Sequence, residues 1–197
     1  MMEPSRDAIL RAAASLAITD GLAGVSIGRL AAALRIPKSG LRAHFRSAAE
    51  LQLATVAEAA RIFAVEVMQP ALEAPPGLSA LTAVCEAFFA YLERRTFPGG
   101  CFLASAALEM GVRPGPVSEL LGQVQSRFGA LIRGSAAAAV EQNELPGDED
   151  PDRLAFELNG IMLATDTNFV LHDDPAVLDL ARQIVRQRLG GDAAEAG

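Results

Sequence analysis

Apolar residues recur at helical spacing along almost the whole chain, and glycine and proline cut that periodicity into segments. Ile9, Leu10, Ala13, Leu16 and Ala17 share one face of a first helix, which Asp20-Gly21 stops because glycine accepts the left-handed backbone at a helix end. Ser26 can cap a second helix with Ile27, Leu30, Ala31 and Leu34 as its apolar positions. Pro37 suits the first turn of a third, short helix, where its missing N–H would be unpaired anyway, and Leu41 and Phe45 form the buried face. Ser47-Ala-Ala-Glu50 fits a capping box and opens a fourth helix. Its periodicity runs to about Met68, and Pro70 bends or ends it.

Further helices are expected over about Ser79–Arg95, Phe102–Met110, Val117–Asn143, Asp152–Leu171 and Pro175–Leu189. No segment alternates as a strand does, so the fold class is all-α: a three-helix N-terminal unit with a helix-turn-helix, plus a larger helical bundle. The expected division is 1–47 for the first, 48–189 for the second, and a disordered tail over 190–197. Half of the 197 residues are apolar, enough for a substantial core, with one Tyr and no Trp. No apolar run approaches the roughly 18–20 residues of a membrane span, and no secretory signal opens the chain. Cys85 and Cys101 stand apart, without a disulfide or zinc pattern, so a reduced cytoplasmic setting is expected.

Charge is unevenly placed. The chain is −7 overall, yet residues 1–47 hold seven basic and three acidic residues, a local excess of +4. The rest holds ten basic and twenty-one acidic residues, −11. Such asymmetry points the basic end at an anionic partner. Within it, RIPKSGLRAHFR over 35–46 carries Arg35, Lys38, Arg42 and Arg46 and no acid. Two short helices joined by a brief turn make a helix-turn-helix candidate, with Ala31 small enough for a close crossing and Ile36 at the corner. With Leu41 and Phe45 inward, Lys38, Ser39, Arg42 and Ala43 face outward, and Lys38, Arg42 and Arg46 fall four apart on one stripe. Such a helix fits the DNA major groove. The candidate DNA contacts are Ser26, Arg35, Lys38, Ser39, Arg42, His44 and Arg46. A solvated basic face is the other reading of the same run.

Residues 7–53 resemble the N-terminal domain of the TetR/AcrR family of transcriptional repressors, in the "I…AA…L…DG" first helix, the "VSI..LA..L.I" second and the "L..HF.S..EL" ending. The resemblance implies an all-helical homodimer, two helix-turn-helix units on a palindromic operator, and a C-terminal bundle that binds a small molecule and dimerises. It also implies that His44 contacts backbone phosphate; a partly buried histidine at a helix end is the other reading of that residue. The chain departs from the family pattern where Arg35 replaces glycine, Pro37 replaces a capping Ser or Thr, Arg42 and Ala43 replace aromatic residues, and Ala48 replaces lysine. A left-handed Arg35 would cost about 1–2 kcal/mol.

Leu154, Leu158, Ile161, Met162, Leu178, Ala181, Ile184 and Val185 of the last two helices are more apolar surface than one chain is expected to bury, so pairing about a two-fold axis is expected to cover them. That would set the recognition helices about 34 Å apart, one DNA turn. For a small apolar effector the candidate contacts are Phe63, Val67, Phe88, Tyr91, Phe102, Glu109, Phe128, Met162 and Asp166, with ordinary core as the competing reading for most. Asn159, Thr165 and Asn168 are further polar groups that could orient it. Cys101 is either a redox sensor or, far more commonly for such a residue, a buried inert thiol. No Gly-rich phosphate loop, nucleophile elbow or metal-ligand spacing is present, so neither an enzyme nor a cofactor or metal is expected. The expected function is a ligand-responsive repressor that releases DNA when it binds its effector. The alternative is a helical binding module that has lost specific DNA recognition.

Overall fold

The computed structural model describes residues 5–190, and every regular element among them is helical. The tail expected to be disordered lies, from residue 191 on, outside the described residues. The helices are α1 (Arg6–Asp20), α2 (Ile27–Leu34), α3 (Lys38–His44), α4 (Ala48–Phe63), α5 (Gln69–Glu73), α6 (Leu78–Glu93), α7 (Phe102–Met110), α8 (Pro116–Glu141), α9 (Pro151–His172) and α10 (Ala176–Arg188). The chain forms two compact units, one of the residues up to Ile62 with Phe97–Val124, the other of Phe63–Thr96 with Gln125 onward.

In the first unit α1 packs against α2, α7 and the 3-10 turn Leu22–Gly24. Ser5 caps α1, its Oγ accepting from Ala8 N–H at 3.2 Å, and Gly21 follows the helix at φ 73°. Ile9, Leu10, Leu22, Val25, Leu30, Leu41 and Phe45 are fully buried, each aliphatic side chain contributing roughly 1.5–3 kcal/mol. Gly99 is required by close approach, because a Cβ there would stand 2.2 Å from Ile18 Cγ2.

The corner between α2 and α3 carries the main backbone strain of this unit. Arg35 sits at φ 55°, ψ 40°, the left-handed region. Its N–H donates to Ala32 O at 3.2 Å and the Ile36 N–H to Ala31 O at 3.0 Å, the paired bonds that close a helix C-terminus. Pro37 is the N-cap of α3, one place earlier than its expected position in the first turn, and supplies no capping side chain. At the next corner the Ser47 half of the capping box forms, while Glu50 reaches one residue beyond the N-cap. Ser47 Oγ accepts from Glu50 N–H at 3.1 Å, and Glu50 Oε2 accepts from Arg46 N–H at 2.8 Å.

In the second unit Pro70, expected to bend or end its helix, does not end it. The chain stays helical to Glu73, and a π-helical segment, Ala64–Met68, precedes the proline. Pro70 has no N–H to offer the Glu66 carbonyl, and its ring would press on that carbonyl in a regular helix. The wider turn relieves this, with Gln69 N–H donating five residues back to Ala64 O. Helices α6, α9 and α10 pack on one another. One chain buries more of the last two helices than expected. Leu154, Leu158, Met162, Leu178, Ala181 and Val185 are all core, because α6 packs against both helices and the two pack on each other. Ile161 is half-buried, and Ile184 stays exposed.

Ion pairs fasten these helices. Arg182 bonds Glu86 at 3.0 Å and Glu93 at 2.9 Å, tying α10 to α6. Arg188 forks onto both oxygens of Glu149, at 2.9 and 3.0 Å, and reaches Glu157 at 2.7 Å. The Arg188 guanidinium holds the Glu149 carboxyl below its ordinary 4.5. Among the described residues no helix is long and apolar enough to cross a membrane.

Two outcomes follow for stability. Arg35→Gly removes the left-handed penalty and raises stability by about 1 kcal/mol, read as a melting temperature about 2–4 °C higher. A depressed carboxyl stabilises the fold above its unfolded pKa and loses that contribution as pH falls through the folded value. Glu149→Gln therefore destabilises at pH 7, and the gap from the unaltered chain narrows as pH falls below the ordinary carboxylate range in urea titrations across pH.

Candidate nucleic-acid interface and effector cluster

The α2–α3 corner presents its cations to solvent. Lys38, Ser39, Arg42 and Ala43 are exposed on α3, with Arg35 exposed before the helix and Arg46 after it. Among the described residues, no acidic side chain forms an ion pair with Arg35, Lys38, Arg42 or Arg46. Arg29, on α2, is instead paired with Asp20 at 2.9 Å. The stripe is shorter than its spacing implied. Phe45 is extended at φ −139°, so α3 ends at His44 and Arg46 leaves the helical register of Lys38 and Arg42. The Lys38 stem lies over Gly28 of α2, where an added Cβ would be 3.5 Å from Lys38 Cε.

The inner side of α3 is anchored. Leu41 and Phe45 are fully buried, and the Arg6 guanidinium lies 5.4 Å from the Phe45 ring centroid. His44 is half-buried, its ring 6.2 Å from that of Phe45. Ser26 Oγ is occupied as the α2 cap, accepting from Arg29 N–H at 3.3 Å, and its own proton remains free to donate. Six of the seven candidates, all but Ser26, thus lie on or beside α3, and Arg35, Lys38, Ser39, Arg42 and Arg46 are exposed there.

The effector candidates divide. Phe63, Val67, Phe88, Tyr91, Phe128, Met162 and Asp166 are buried in the second unit. Phe63 is the hub of an edge-to-face cluster, 5.1 Å from Phe128, 5.9 Å from Tyr91 and 6.4 Å from Phe88 between ring centroids. Thr165 Oγ1 bonds back to Ile161 O at 2.7 Å, and Asn168 is exposed, donating to Ala164 O at 2.8 Å. Asn168 therefore does not face the cluster. Phe102 and Glu109 belong to the first unit, where Phe102 packs on Phe97 with centroids 5.5 Å apart.

Glu109 has a role that its sequence position did not suggest. Its carboxylate accepts from Leu22 N–H at 2.6 Å and Ala23 N–H at 2.8 Å, so it caps the 3-10 turn between α1 and α2 from α7. Those donors occupy the oxygens that were expected to orient a ligand. Only the tertiary approach of segments 86 and 87 residues apart creates this contact, so no local signal marks it. Cys101 is buried immediately before α7, and burial pushes the Cys85 thiol up to about 12. Among the described residues no group of three or more His, Cys, Asp and Glu could hold a metal ion.

A short helix pair with an anchored, cationic second helix, joined in one chain to a helical bundle, defines an all-helical helix-turn-helix protein. Residues 77–185 match the family described as tetracyclin repressor-like, C-terminal domain. The match takes in more than half of the chain, which therefore belongs to the TetR family of transcriptional regulators. Solved structures share the fold. A TetR transcriptional regulator from Chloroflexus aurantiacus J-10-FL is 23% identical with a TM-score of 0.83, over 92% of each chain. SCO4454, a TetR-family transcriptional regulator from Streptomyces coelicolor, is 21% identical with a TM-score of 0.78, over 93% of each chain. AibR in complex with isovaleryl coenzyme A and operator DNA is 20% identical with a TM-score of 0.70, over 91% of this chain and 95% of that one. No curated protein matches by sequence.

Replacing Glu109 by Gln exchanges one of two accepting oxygens for a donor facing an N–H. We expect a loss of about 1–3 kcal/mol in chemical denaturation, with helicity by circular dichroism unchanged at 25 °C.

Proposed function

We propose that this chain is a ligand-responsive transcriptional repressor that binds a palindromic operator as a homodimer in the cytoplasm, without catalysing a reaction. Residues 1–47 read DNA, and residues 48–189 bind the effector and dimerise. The observation that carries this reading is the set of four exposed cations on and beside α3, none paired with an acid among the described residues, in a chain of net charge −7. Elsewhere arginines such as Arg94, Arg182 and Arg188 are taken up by internal carboxylates. Exposed like charges four apart repel, and phosphate is the counter-ion that relieves them. His44 and Ser26 contribute phosphate contacts.

The proposed dimer face lies on the last two helices, as expected, but on their outer side, where of the residues first named Ile184 alone is exposed. Phe156, Leu163, Val170 and Leu171 on α9 and Leu180 and Ile184 on α10 remain exposed. From Asn159 to Leu171 the only charged residue is Asp166, which is buried, so the exposed face of that stretch is uncharged. Gly160 lies on this face with nothing within 4 Å of an added Cβ. A glycine inside a helix costs about 1 kcal/mol relative to alanine, and the intrachain packing gives no reason for it. Close approach of the same helix from a second copy does.

The effector is a small apolar molecule held by Phe63, Val67, Phe88, Tyr91, Phe128 and Met162, with Asp166 a buried polar group of the same unit. That AibR was captured with isovaleryl coenzyme A and operator DNA supports a shared architecture for the two ligands. The last residue of α4, Phe63, is the hub of the aromatic cluster, while the rest of that helix belongs to the first unit. A ligand that repacks Phe63 favours one of two α4 states and shifts the population that can hold DNA.

The test is an anisotropy titration of the promoter region beside the protein's own gene. Specific binding at moderate salt is expected, and no preference over random DNA would leave the reading of a helical module without DNA recognition. Leu163→Arg is expected to give a folded monomer by light scattering, with operator affinity reduced at least tenfold as the paired half-site contact is lost. Arg46→Ala is expected to weaken all sequences alike and to reduce the salt slope by about 1.

A further inference from the structure

We infer that the bases read by this chain are guanines, two in each half-site about two base-pair steps apart, contacted by Lys38 and Arg42, with a thymine methyl against Ala43. This rests on the reading of α3 as a recognition helix.

The argument is one of elimination by donor and acceptor chemistry. The residues exposed on α3 are Lys38, Ser39, Arg42 and Ala43. In the major groove adenine is held in two-point fashion by Asn or Gln, and cytosine offers a donor that Asp or Glu accepts. Residues 35–46 contain none of those four types. Arg and Lys carry donors only, and the base edge that presents two acceptors side by side is guanine, at O6 and N7. Ser39 can donate or accept and therefore selects little. Ala43 is an exposed methyl group where an apolar contact with the thymine methyl is the available interaction.

Geometry separates base readers from phosphate clamps. Lys38 and Arg42 are the cations inside α3, whereas Arg35 lies in the left-handed corner before it and Arg46 in the extended segment after it. The two outer arginines flank the helix and suit the two phosphate walls of the groove. Four residues of helix advance about 6 Å, and successive base pairs are stacked about 3.4 Å apart. Lys38 and Arg42 therefore meet base pairs about two steps apart when the helix lies along the groove. The Lys38 stem is supported against Gly28, which limits its sweep, and Leu41 and Phe45 fix the rotation of the helix about its axis.

Selection of duplexes from a randomised pool by the full-length chain, followed by anisotropy on the selected site, tests this. We expect two guanines in each half-site at that spacing. Replacing each in turn by 7-deazaguanine removes the N7 acceptor but leaves Watson–Crick pairing intact, and should weaken binding by the unaltered protein about tenfold. Arg42→Ala should abolish the deazaguanine effect at one position and Lys38→Ala at the other, with unchanged melting curves since both side chains are exposed. A selected half-site read without guanine, or deazaguanine substitution without effect, overturns the inference and leaves specific DNA binding standing. If no sequence is enriched over random duplex, the inference and the reading of α3 fall together.

Discussion

The presentation of α3 depends on two backbone hydrogen bonds at the end of α2. Arg35 and Ile36 donate to the carbonyls of Ala32 and Ala31, and the price is a left-handed Arg35. Those bonds satisfy carbonyls that a helix end leaves open, and they turn the chain sharply enough for Leu41 to return to the core. Without the left-handed residue the chain would leave α2 in another direction, and Lys38 would not lie along Gly28. Pro37 then fixes the entry into α3 through its own restricted φ of −62°. An arginine at a position that glycine would fill without strain keeps a cation beside the helix.

Electrostatics and packing are separated along the chain. The second unit directs Arg182 and Arg188 onto carboxylates of its own, where they join helices. Near α3 the cations have no such partners among the described residues, and the Glu50 carboxylate accepts from the Arg46 backbone N–H rather than from a guanidinium. The acidic remainder of the chain sets an orientation in the field of a polyanion, basic end first. The aromatic cluster around Phe63 is nonpolar except for the Tyr91 hydroxyl.

Much of this is legible in the order of the residues alone. The caps at Ser26 and Ser47 sit at helix starts, and Asp20-Gly21 at a helix end, because side-chain capping and left-handed glycine are local physics. Leu41 is buried as its place on α3 implied, and Phe45 is buried from the extended residue just after that helix. What failed were inferences that needed neighbours. Leu154, Leu158 and Met162 do not wait for a second chain, because α6 covers them. Arg46 is not on the stripe, because α3 ends at His44 and the chain is extended at Phe45.

Periodicity, caps and charge, each acting within a few residues, were enough for the helical class, for the helix-turn-helix and its position, and for the cationic character of α3. The family resemblance lay in the same short stretches. Packing alone settled which apolar faces stay open, Phe156, Leu163 and Leu180 rather than Leu154 and Leu178. It also settled that Glu109 braces the α1–α2 turn and that Phe63, Phe88, Tyr91 and Phe128 converge. The division has one cause. Helix, cap and turn energies are set by neighbours in the chain, while burial and long-range hydrogen bonding are set by neighbours in space, and a single sequence does not name those.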